Sequence, residues 1–180
     1  METHEKTQKV VFDESESLSQ TQKISLNIKD IAKLIRQQLK KEYPKCVFSI
    51  RIERYSMGQS LHINLMKSNF KVIRDPTDIP EDVVNTVNYG RTTIEEIRNN
   101  QKENYHQLNQ YTFRQPWSEE NWNNGVFLTK QAHQMFKRIT EIVNHFNYDN
   151  SDAMVDYFDV NFYLHLSIGK WNKPYIYEED

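Results

Sequence analysis

Cysteine is almost absent from this chain: Cys46 is the only one among 180 residues, so no disulfide can form within it. Its place in an alternating apolar stretch, without an obvious activating neighbour, suits a buried thiol in a reducing compartment. Long apolar runs are also missing. None approaches the roughly twenty residues that a membrane helix needs, and the first residues lack the apolar centre of a secretory signal. Neither sign of charge is in large excess. A formal net charge of -2 and a pI near 6.3 exclude a protein that coats nucleic acid by bulk electrostatics, while leaving room for a local basic face. EF-hand spacing, a Walker loop, a zinc-ligand pair and a nucleophile elbow are all lacking. These absences predict a soluble, cytoplasmic protein with no membrane span and no resident cofactor.

What is present is a length suited to one self-sufficient core and an abundance of rings, ten Tyr, nine Phe and three Trp. They offset a hydrophobic fraction of only 37% and a mean hydropathy of -0.83. The expected organisation is a flexible tail over residues 1–26, mostly polar around a short apolar triplet, Val10, Val11 and Phe12, and a single domain over residues 27–180.

Ile28, Ile31, Leu34, Ile35 and Leu39 recur at helical spacing, with Asn27 as N-cap and Pro44 as terminator. Cys46, Phe48, Ile50 and Ile52 then alternate with Val47, Ser49, Arg51 and Glu53, and Leu61, Ile63 and Leu65 alternate with His62 and Asn64. The turn between them spans Tyr55–Gln59 and contains Gly58. A third short strand is expected over Lys71–Arg74, a short helix after Pro80, and a thin, polar helix from Thr92 to about Leu108. The stretch from Asn109 to Gly125 shows no period, so its Trp117 and Trp122 either pin a loop or line a binding loop. Leu128, Ala132, Met135, Phe136, Ile139, Ile142, Val143 and Phe146 mark the strongest amphipathic helix, and Phe162–Ile168 reads as a strand. The order implies an α+β fold, a small antiparallel sheet with helices packed on one face.

Three constellations could carry chemistry. Leu61–Leu65 and Leu164–Ile168 share the pattern apolar, His, apolar, small polar, apolar. If the two strands are neighbours, His62, Asn64, His165 and Ser167 share one sheet face with Arg51 close by. Such a set can act as general base, general acid and phosphate clamp, or can be ordinary wet-face polarity. It resembles the two-histidine phosphoesterase signature of His, apolar, Ser or Thr, apolar. His165 and Ser167 match, whereas Asn64 stands where the first hydroxyl is expected. Asp149, Asp152, Asp156 and Asp159 are spaced to align on a helix as a hard-cation site needs, although Asn147, Asn150 and Ser151 beside them look like a helix end and a new cap. Lys29, Lys33, Arg36, Lys40 and Lys41 on the first helix, with Lys45, Arg51 and Arg54 following, form a basic patch suited to phosphate contact, or simply a solvated helix face.

The run from Lys29 to Leu65 resembles the large polyvalent protein-associated domain 29 family. The residues concerned are Leu39-Lys40 before Tyr43-Pro44, the strand Phe48-Ser49-Ile50-Arg51, and Tyr55-Ser56-Met57-Gly58-Gln59-Ser60. Asn150-Ser151-Asp152, Asp156-Tyr157-Phe158 and Trp171-Asn172-Lys173-Pro174-Tyr175 look similar to members' C-terminal parts, so the resemblance covers roughly residues 28–66 and 145–175. In place of a Trp-Thr-Asp-Gly-like ending to the second strand, this chain has Leu65-Met66-Lys67-Ser68. The resemblance implies a role in mobile-element transfer or host conflict and carries no catalytic residues with it. The expectation is therefore a non-catalytic interaction protein that contacts nucleic acid or a host protein through the sheet face and basic helix. The alternative is a phosphoesterase acting on a nucleotide or cyclic oligonucleotide through His62 and His165.

Overall fold

The computed structural model describes residues 26–86, 93–103, 105–149 and 160–179. The first helix, α1 (Ile28–Glu42), begins where Asn27 accepts hydrogen bonds from the amides of Lys29 and Asp30, and it buries Ile28, Ile31, Ala32, Ile35 and Leu39 along one stripe. Leu26, assigned from the sequence to the tail, packs against the core; the rest of that tail lies outside the described residues. Strands β1 (Val47–Tyr55) and β2 (Gly58–Ser68) then pair as an antiparallel hairpin.

The strand expected over Lys71–Arg74 shrinks to one bridge between Ile73 and Leu128, since a 3-10 turn begins at Pro76. Helix α2 (Glu81–Thr86) follows Pro80 as expected. Helix α3 (Ile94–Gln101) opens on a capping box between Thr93 and Glu96, but it stops seven residues short of the expected end at Leu108. The buried Gln101 side chain bonds the backbone of Phe127 and Arg74, and the next residues form β3 (His106–Leu108), with His106 and Leu108 buried and Gln107 exposed. Tertiary pairing thus overrides a weak helical stripe.

The aperiodic stretch holds a 3-10 turn, Gln110–Arg114, and a small hairpin of β4 (Trp122–Asn123) and β5 (Val126–Phe127). Asn124 and Gly125 turn it with φ of 49° and 107°, the left-handed pair that a two-residue hairpin loop demands. Trp122 packs on a satellite cluster of Ile79, Val83, Val84, Ile97 and Phe127, and Trp117 donates to the Leu128 carbonyl at 3.4 Å, so both rings pin the loop.

Helix α4 (Lys130–Phe146), capped by Thr129, and strand β6 (Tyr163–Ile168) match the sequence pattern, and β7 (Ile176–Tyr177) closes the fold. The strand order is β1, β2, β6, β3, with β7 pairing the end of β2. The α+β class holds, but the sheet is mixed, because β2 and β6 run parallel. A parallel pair requires a crossover, and the chain between these strands supplies one by carrying α4 over the sheet. Leu61, Ile63, Leu65, Leu164, Leu166 and Ile168 form one buried cluster with the stripes of α1 and α4, so the helices cover a single face.

Candidate functional site

Side chains alternate across a strand, so burying those aliphatics sends His62, Asn64, His165 and Ser167 to the opposite face. The register makes them direct partners, His62 with His165 and Asn64 with Ser167. Arg51 pairs with His62 from β1, and Gln107 pairs with Ser167 from β3. The two imidazoles stack, with centroids 4.6 Å apart and planes 15° from parallel. They lie in a cavity of about 490 Å³ that Arg51, Asn64, Tyr105, Gln107, Lys170 and Trp171 also line.

Its rim depends on one glycine. Gly169 takes φ of +68°, a region that favours glycine, and its amide bonds the Leu65 carbonyl at 2.8 Å. The chain then folds into a tight turn in which Lys170 and Lys173 exchange backbone hydrogen bonds of 2.8 and 3.1 Å. Trp171 stands at the tip of this turn, 89% exposed, meeting Tyr105 edge to face at 6.2 Å.

Burial, joined by the proximity of His165 and Arg51, pushes the His62 pKa below the ordinary histidine value, against the opposing pull of Glu53. A Glu53 carboxylate oxygen lies 3.0 Å from His62 Nε2. That nitrogen is itself shielded from solvent. Glu53 also faces Arg51 at 3.9 Å. Ser167 is buried, its hydroxyl donates to the Gly169 carbonyl at 2.8 Å, and the Asn64 amide donates to it. That hydroxyl holds the turn rather than facing the cavity as a free donor.

The basic residues divide. Lys29, Lys33, Arg36 and Lys40 fall at i, i+4, i+7 and i+11, which is one stripe of α1. Arg36 donates to the Ile50 carbonyl at 2.7 Å, so the stripe runs along the outer edge of β1, in the helical layer. Arg51 is across that edge, on the cavity side, and Arg54 is exposed near the hairpin turn. Asp149 is exposed and bridges Val160, whereas Asp152, Asp156 and Asp159 lie outside the described residues. Among the described residues no three His, Cys, Asp or Glu side chains group as metal ligands, and no helix is long and apolar enough to cross a membrane.

Sequence reasoning missed Tyr105, Gln107, Lys170 and Trp171 as cavity residues. The first two were read as helical. A Trp between Gly169 and Pro174 in an otherwise polar segment was a usable sign of an exposed ring.

Residues 26–116, about half of the chain, match the family model described as large polyvalent protein associated domain 29. The chain belongs to that family. The match takes in residues 67–116, which the resemblance had left out, and ends before residues 145–175. The domain 29 segment supplies Arg51, His62, Asn64, Tyr105 and Gln107 to the cavity, while His165, Ser167, Lys170 and Trp171 come from beyond it. Among curated proteins and solved structures nothing matches the chain.

Proposed function

We propose that this domain 29 protein binds nucleic acid through the cavity face of its sheet, with the basic stripe of α1 extending the contact around the β1 edge. The observation that carries this reading is the in-register row of Arg51, His62 and His165, joined by Lys170 in one cavity. Cations and neutral donors converging on a concavity suit a phosphate, whereas the acidic net charge argues against binding spread over the whole surface. Family membership supports a setting among phage and conjugative-element proteins, and the half-buried Cys46 thiol, whose pKa burial raises, suits a reducing cytoplasm.

The test is a fluorescence-anisotropy titration with labelled oligonucleotides at low and raised salt. Affinity is expected to fall as salt rises, and Arg51→Ala is expected to weaken binding and reduce the logarithmic salt slope by about one. Salt-independent or absent binding points to a protein partner instead.

A second reading, a phosphoesterase, is favoured by one observation. His62 is held neutral beside His165 and so can accept a proton at neutral pH. Against it, rings stacked at 4.6 Å leave no room for a phosphorus centre between them, and the Ser167 hydroxyl is already committed. Recovering the strand and an added cyclic nucleotide intact favours binding alone. Consumption by wild type that His165→Ala abolishes, with the fold retained, establishes hydrolysis.

A further inference from the structure

Resting on that reading, we infer that the cavity takes one unpaired nucleotide of a single strand, with its base laid on Trp171 and its phosphate toward Arg51 and Lys170. Two observations independent of the histidines carry this. An indole that is 89% exposed gains nothing from the core, yet the turn that carries it is fixed by reciprocal Lys170–Lys173 hydrogen bonds and by Gly169, so the backbone that presents the ring at the rim is set before any ligand arrives. Tyr105 meets it edge to face on the same rim, which leaves an indole face open to a flat partner.

The polar lining fits the remainder of a nucleotide. Arg51 and Lys170 supply positive charge, while the amides of Gln107 and Asn172 each offer a donor and an acceptor to a base edge. A cavity of about 490 Å³ falls within the range of small-ligand sites. A base inside a duplex has both faces covered by its neighbours, so only an unpaired or terminal base can lie on Trp171. The site therefore discriminates by strand state.

Three short probes separate this inference from its parent: an oligodeoxyadenylate, the same tract paired in a duplex whose two ends are closed by non-nucleotide linkers, and an abasic oligomer of the tract's length. Each is titrated against the full chain at fixed salt, following anisotropy and tryptophan emission. The expected result is tight binding of the single strand with quenched emission, and duplex and abasic oligomer weaker by roughly tenfold or more. Trp171→Ala is expected to lose a similar factor for the single strand and nothing for the abasic oligomer, with Trp171→Phe recovering part of the loss. The ring is exposed, so neither variant disturbs the core. Equal binding of all three probes, or a Trp171→Ala variant that binds the single strand like wild type, overturns the nucleotide pocket while leaving phosphate contact intact. No binding of any probe by wild type removes the parent reading and this inference with it.

Discussion

At the scale of single residues, three histidines in different parts of the fold are shifted in the same direction by burial. Burial lowers the pKa of His62 in the cavity, of His106 beside the Glu103 carbonyl at 2.8 Å, and of His133 beside the Gln115 carbonyl at 3.1 Å. Each folded value lies below the unfolded one, about 6.5, so in the interval between them the unfolded chain binds more protons. Stability is therefore complete above about pH 6.5 and is lost as the pH falls through that interval. Thermal unfolding followed from neutral pH to about pH 5 should show a falling Tm, and His133→Gln should flatten that dependence. A Tm unchanged across the range, or rising on acidification, contradicts the burial account. Among these three only His62 faces the cavity, so only it can couple protonation to ligand binding.

At the scale of elements, the helical layer is joined across its surface by Arg138 of α4, which donates from Nε and Nη2 to the two Glu42 oxygens of α1 at 3.2 and 3.1 Å. Burial works to raise the Glu42 pKa, but hydrogen bonds from Arg138 and Gln38 outweigh it and hold the carboxyl below its usual range. Arg138 is 47% exposed, so solvent screens the pair. A double-mutant cycle of Glu42→Gln and Arg138→Ala in urea unfolding should give a coupling of about 0.5 to 1 kcal/mol. No coupling means that apolar contact alone joins the two helices. Elements long enough to repeat their period, α1, β1, β2, α4 and β6, were legible in the sequence. Strands β3, β4, β5 and β7, of two or three residues, cannot display a period, although Asn124-Gly125 was a readable hairpin signal. The parallel pairing of β2 with β6 was not legible, since alternation fixes which face a residue takes but not the direction of the neighbouring strand.

At the scale of the whole molecule, one sheet separates two chemistries. Its aliphatic side meets α1 and α4, and its polar side opens a cavity whose two histidines come from segments about a hundred residues apart. The shared five-residue pattern announced that pair in the sequence. Tyr105, Lys170 and Trp171 were hidden because their approach depends on the β3 pairing and the turn at Gly169. The domain 29 match contributes both flanks of this cavity, β1 and β2 on one side and β3 on the other, and the C-terminal part contributes the strand between them and the turn that carries Trp171. The most direct test follows the imidazole resonances of His62 and His165 by NMR while a single-stranded oligonucleotide is added. The account predicts that these two move together and saturate at the stoichiometry found by anisotropy, while the buried His106 and His133 stay in place. Bound strand with both cavity resonances unmoved contradicts it.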